Sequence, residues 1–220
     1  MNKDRIEQYI DELNVSLYIN YEAIKDIFNS EYGYPELDPV RDEICKCILF
    51  DLYQAAITLT NHLLESSLKK CLAMRFSITN KQEDTKLEDS FKEGIKKYDK
   101  LVLDDTINRA CKQGLITKEQ KIQLKKYKDD FRNPYSHAAA EIFKDTTIKG
   151  KTISLIEGEE PEKLLERIFD DDSENVFDVK DILPAHGIEQ SIIAERDSIQ
   201  YFIKVDEIIR EMLLKIKPNR

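Results

Sequence analysis

Residues 38–76 read DPVRDEICKCILFDLYQAAITLTNHLLESSLKKCLAMRF, and their spacing decides the fold class. Ile44, Ile48, Leu52, Ala55, Leu59 and Leu63 recur at steps of four or three, beside a second row of Leu49, Ala56, Leu64, Leu68 and Leu72. Such steps place side chains on one helical face, and two adjacent rows make that face wide. Asp38-Pro39 predicts the start, with an N-cap acceptor followed by proline at the first helical position. The expectation is one long helix over 39–76, central to a bundle.

Outward from this helix the pattern stays helical. Residues 3–30 carry Ile6, Ile10, Leu13, Leu17, Ile24 and Phe28, which fit one or two helices before the turn-rich Glu31–Leu37. Amphipathic helices follow over Leu87–Leu101 and Asp104–Gln113, the second closed by Gly114. Thr117-Lys-Glu-Gln120 is a capping box, opening a helix with Ile122, Leu124, Tyr127 and Phe131. Pro134 predicts a stop near Arg132, with Asn133 capping a new helix that reaches Phe143. Ile192, Ile199, Phe202, Ile203, Ile209 and Leu213 are the core candidates of a closing helix. The chain reads as a single all-α domain. Its parts are N-terminal helices over 1–37, a bundle core over 38–143, a mostly polar insertion over 144–187 and a closing helix over 188–216. The insertion holds a small β-hairpin around Lys149-Gly150-Lys151, a short helix over Pro161–Phe169 and a solvated loop over Asp170–Asn175.

Composition agrees. Only 6 Gly and 6 Pro stand among 220 residues, too little turn punctuation for a sandwich or barrel. No apolar run approaches the roughly 20 residues of a membrane span, and no apolar segment follows the charged MNKDRIEQ start, so neither a membrane nor a signal peptide is expected. Cys45, Cys47, Cys71 and Cys111 form no C-x-x-C pair and have no histidine at zinc spacing. They are expected as reduced core thiols in a cytoplasmic protein without metal or cofactor. Of the three histidines, His62 is expected in the core or at an interface and His186 in a loop. The net charge is −9, which as a whole opposes nucleic acid. Residues 157–181, however, hold eleven acidic and three basic side chains, whereas residues 112–132 hold seven basic and three acidic. The objection therefore applies to the insertion and not to the bundle.

The basic stretch leads into Phe131-Arg132-Asn133-Pro134-Tyr135-Ser136-His137-Ala138, which joins a fixed cation, an amide and an imidazole at one helix start. A guanidinium fork suits phosphate, and histidine moves a proton near neutral pH. Together they suit an RNA phosphodiester, with a base for the 2′-hydroxyl and a cation for the charge that develops on phosphorus. An Arg four to six residues before a His arises by chance roughly 0.4 times in such a composition, and about 0.02 times when Asn must follow the Arg.

Arg132-Asn-Pro-Tyr-Ser-His137 resembles the R-x(4–6)-H hallmark of the HEPN family (higher eukaryote and prokaryote nucleotide-binding domains), in its R-N-x-x-x-H form. The resemblance extends over residues 39–143 and 188–216. It implies an all-α HEPN-like bundle and a metal-independent endoribonuclease of toxin–antitoxin, phage-defence or RNA-processing systems. It further implies a homodimer with a composite active site, and an antitoxin or effector protein as partner. Arg132 and His137 would be catalytic, Asn133 would orient or polarise, and Glu65 would support the site from the long helix. Members silenced through a tyrosine two positions after the histidine differ here, where Ala139 stands. Tyr135 is a candidate for base stacking, and Lys125, Lys126 and Lys128 for a substrate track. Each has a plainer reading: Asn133 as an N-cap, Arg132 paired with Asp129 or Asp130, Glu65 paired with Lys69, Tyr135 packed on a neighbour, and the lysines as a solvated face. The alternative for the whole chain is a non-catalytic HEPN-like nucleotide-binding or protein-interaction module.

Overall fold

The computed structural model describes residues 3–79, 87–133, 135, 147–150, 160, 162–163, 175–178 and 183–216. The chain divides into two compact units, Met1–Ala138 with Ser191–Arg220, and Ala139–Gln190. The first is all-α. Its helices are α1 (Lys3–Phe28), α2 (Asp38–Leu49), α3 (Tyr53–Thr79), α4 (Leu87–Tyr98), α5 (Leu103–Lys112) and α6 (Lys118–Tyr127), with a π-helical turn at Lys128–Arg132. The closing helix α7 spans Leu183–Ile216 and includes His186, which is therefore helical and not in a loop.

The long helix expected over 39–76 is two helices. α2 ends at Leu49, and Asp51 adopts a left-handed conformation with φ of 58°. The Asp51 N–H donates to the Ile48 carbonyl and the Leu52 N–H to the Cys47 carbonyl, at 3.2 and 2.8 Å. That pair of bonds is the Schellman closure usually made by glycine. Aspartate takes the position because its carboxylate is held: Asn20 Nδ2 donates to it at 2.8 Å and the Tyr53 hydroxyl at 2.7 Å. The break resets the helical phase. Leu52 and Ala55 are exposed and Leu59 is half-buried, whereas Ala56, Leu63, Leu64, Leu68 and Leu72 form the core.

Asp38 does not cap α2, whose N-cap is Leu37. Its carboxylate instead accepts from the backbone N–H groups of Tyr32 and Tyr34, at 2.7 and 2.8 Å, folding the chain around Gly33 at φ 78°. Gly114 and Thr117 behave as their sequence predicts. Gly114 at φ 73° closes α5, and Thr117 and Gln120 form the reciprocal capping box of α6. Of the six apolar residues at helical spacing in α1 only Ile24 is buried; Ile6, Ile10, Leu17 and Phe28 are exposed. Ile122 and Ile192 are exposed as well, whereas Tyr201, Val205 and Met212 join Phe202 and Ile209 in the core of α7.

One buried ionic cluster ties the α1–α2 connection to α7. Asp206 and Arg41 are only 2% and 4% exposed. Asp206 accepts from Arg41 Nε at 2.8 Å, the Tyr32 hydroxyl at 2.7 Å and Arg210 Nε at 2.6 Å. Arg41 also donates to the carbonyls of Ser30 and Ile27. Burial, and then the Asp206 charge, push the Tyr32 phenol far above its ordinary value. All four thiols are free; Cys45 and Cys71 are buried, and burial pushes them up to about 11 and about 12. Cys47 and Cys111 are half-buried, so only two of the four are core thiols in full.

In the second unit, β1 (Thr147–Gly150) pairs antiparallel with β2 (Asn175–Asp178), Ile148 opposite Phe177. The strand expected near Lys149 exists, but its partner is distant and the hairpin is not a local one. Asn175 belongs to that partner strand and not to a loop. Of the expected short helix, only Glu162 and Lys163 are described, and both are helical. Among the described residues, no helix is long and apolar enough to cross a membrane.

Candidate functional site

The arginine and amide of the motif stand on a widened turn. α6 runs without a break into the π-helical residues Lys128–Arg132, and Asn133 continues with φ −63° and ψ −47°. Asn133 is therefore helical and not an N-cap, which needs extended backbone. Its side-chain amide donates back to Asp129 at 3.3 Å. Such single π turns often occur at functional sites.

A buried polar network fixes this turn from behind. Asn61 of α3 donates through Nδ2 to the Phe131 carbonyl at 3.4 Å and accepts from the Tyr201 hydroxyl at 2.7 Å. The Phe131 ring stacks on Tyr201 with centroids 4.5 Å apart, and Tyr127 meets Tyr201 edge-on at 5.0 Å. Burial pushes the Tyr201 phenol well above its ordinary value, with Tyr127 adding to the rise. Asn61 and Tyr201, which support this turn, belong to no motif in the sequence. The available signal was an Asn-His pair interrupting the apolar rows of α3.

The remaining candidates divide. Arg132 and Tyr135 are half-buried beside Asn133, and Tyr135 packs against the core, as its plainer reading has it. Lys125 and Lys128 converge on Asp104, at 3.1 and 3.2 Å, and Lys128 also meets Asp129 at 3.5 Å. Hydrogen bonding from Lys125, and then from Lys128, holds the Asp104 carboxyl below its ordinary value. These two lysines tie α6 and the π-helical turn to α5 and do not form an open track. Lys126 remains exposed. Glu65 pairs with Lys69 at 2.9 Å, and Lys69 reaches the Asp99 carbonyl at 2.8 Å, so the pair bridges α3 to the end of α4. His62 is exposed rather than in the core.

Carboxylates crowd the turn. Desolvation raises Asp130; Lys126 opposes that rise, and Asp129 and Asp197 reinforce it. Asp197 is itself held by Arg196 through two bonds of 2.8 and 2.7 Å. His137, with Pro134, Ser136 and Ala139, lies outside the described residues. Among the described residues, no three His, Cys, Asp or Glu side chains converge as a metal-ligand set. Comparisons with protein-family models, curated proteins and solved structures give no match.

Proposed function

We propose that the chain is a HEPN-like, metal-independent endoribonuclease in which His137 takes the proton of the RNA 2′-hydroxyl and Arg132 stabilises charge on the phosphoryl group. The observation that carries this reading is the π-helical turn bearing Arg132 and Asn133, which Asn61 and Tyr201 support from the core. Catalytic groups need such support, because small misplacements are costly in rate. The products would be a 2′,3′-cyclic phosphate and a 5′-hydroxyl, and DNA would be spared. Two copies would form the working unit, in a toxin–antitoxin, defence or RNA-processing setting with a regulatory protein partner. The test is incubation of the full chain with RNA in EDTA beside His137→Ala and Arg132→Ala. Each substitution should cut cleavage by about 10²-fold or more. Uncleaved RNA across several substrates, with dimeric protein, would sink the reading.

The second reading, a non-catalytic nucleotide-binding or protein-interaction module, is favoured by one specific observation. Asp104 holds Lys125 and Lys128, and Asp129 and Asp130 stand within the turn itself. Asp104→Asn should release both lysines. If RNA binds along α6, its affinity should rise and the salt slope should steepen by about one to two. An unchanged slope would remove this face from RNA contact.

A further inference from the structure

A second site lies at the far end of α3, about 21 Å along the helix from Asn61 at the α-helical rise. One close contact builds it. Gly94 of α4 packs on Ala73 of α3 so tightly that a Cβ at Gly94 would lie 2.8 Å from the Ala73 carbonyl oxygen. Side chains lean toward the N-terminus of their own helix. Phe76 and Tyr98 therefore meet across this contact, edge-to-face with centroids 6.3 Å apart. Beside them is a cavity of about 510 Å³ whose described lining is Arg75, Phe76, Thr79, Lys97, Tyr98 and Gln113. That volume is in the range of small-molecule sites.

Two properties distinguish it. Arg75 Nε and Gln113 Oε1 are buried and, among the described residues, have no hydrogen-bond partner. Native proteins seldom leave buried donors or acceptors unpaired, because each costs free energy. Here a donor and an acceptor line the same cavity. The unpaired hydroxyls of Ser67 and Ser198 do not line it. Gln113 is also oriented: its Nε2 donates to the Tyr98 hydroxyl at 3.1 Å, which leaves Oε1 as the open acceptor. The other property is charge. Arg75 and Lys97 both contribute cations, and the described lining holds no carboxylate. Lys97 Nζ rests 4.3 Å over the Phe76 ring, and among the described residues no acid pairs with it. By contrast, the cavity of about 540 Å³ near Gly33 is lined by Glu31, Asp38 and Asp42, and its Arg41 is already bound to Asp206.

We propose that this cleft binds a small phosphate monoester whose organic body carries a hydroxyl or amine. The phosphate would lie between Arg75 and Lys97, because a dianion matches a guanidinium N–H and an ammonium better than a neutral group does. The hydroxyl or amine would donate to Gln113 Oε1, and the body would rest against Tyr98. None of these residues belongs to the RNA-cleaving motif, so the two readings stand or fall separately.

Isothermal titration of the full chain with ribose 5-phosphate, inorganic phosphate and ribose at matched ionic strength tests the site. Ribose 5-phosphate should bind saturably, about tenfold tighter than inorganic phosphate, and ribose should not bind. Arg75→Met should weaken ribose 5-phosphate by about tenfold or more, and Lys97→Met by a smaller factor. Gln113→Leu should narrow the preference for the sugar phosphate over phosphate. Lys97 is exposed on the rim, so its variant keeps the test valid if Arg75→Met folds poorly. RNA cleavage by the Lys97 variant should equal that of the parent. The proposal is overturned by absence of saturable binding up to about 10 mM. Equal affinity in both cation variants, or binding of ribose as tight as its phosphate, would overturn it as well.

Discussion

Of the polar side chains that α3 carries into the bundle, Asn61 and Arg75 are completed differently. At Asn61 both ends of the amide are used within the chain, one on the Phe131 carbonyl and one on the Tyr201 hydroxyl. At Arg75 the Nε donor and, on the same cavity, the Gln113 Oε1 acceptor are buried without partners among the described residues. A level closed by its own protein groups positions something else, here the π-helical turn with Arg132 and Asn133. A level left open to a cavity is suited to receive something. The difference also sets the sign of mutational effects, since removing half of a buried pair costs far more than removing a group that had no partner.

The largest effect is expected behind the closed level, where Asp206 clamps α7 little more than a turn beyond Tyr201. Asp206→Ala leaves the buried Arg41 guanidinium without its carboxylate and should cost about 3–5 kcal/mol. Urea unfolding measures it, and a loss under about 1 kcal/mol would mean that Arg41 and Arg210 are satisfied elsewhere. Asn61→Leu comes next. It strands the Tyr201 hydroxyl and removes the donor from the Phe131 carbonyl, for about 2–3 kcal/mol. Adding Tyr201→Phe should recover part of that loss, because the stranded hydroxyl goes with it. A double-mutant cycle that closes to zero coupling would show that the two residues do not act as a pair. If the ribonuclease reading holds, Asn61→Leu should also slow cleavage without altering RNA affinity.

How far these levels were legible in the sequence depends on what signals each. Gly114 and the Thr117–Gln120 box announce their caps by residue type, and the structure keeps both. The break at Asp51 was not legible, because a Schellman closure normally advertises itself with glycine. Here an aspartate holds the left-handed position through Asn20 and Tyr53, residues distant in sequence or unremarkable in type. Missing that break shifted the phase, which is why Leu52 and Ala55 were expected inside and lie outside. Asn133 was misread for a similar reason. Asn-Pro is a good N-terminal signal, but Asn133 directly follows a π-helical turn and is itself helical. Lys125 and Lys128 looked like a phosphate track because charge counts do not show pairing, and Asp104 lies on another helix. The Arg75 cleft had no motif at all. It arises from Gly94 meeting Ala73, a tertiary contact that no local pattern encodes.

The smallest effect is the most discriminating, because its sign is expected to reverse. Arg75→Met keeps the apolar stem of the side chain and removes a buried Nε–H that has no partner among the described residues. Without ligand it should leave stability unchanged or raise it, within about 1 kcal/mol. With ribose 5-phosphate present the parent gains stability in proportion to the logarithm of ligand over dissociation constant, and the variant gains little. The order of the two melting curves should therefore invert as ligand is added. A variant that is already about 2 kcal/mol less stable without ligand would show that Arg75 is paired in solution. Both the Asn61 and the Arg75 level would then be closed, and the open end would be an ordinary part of the core.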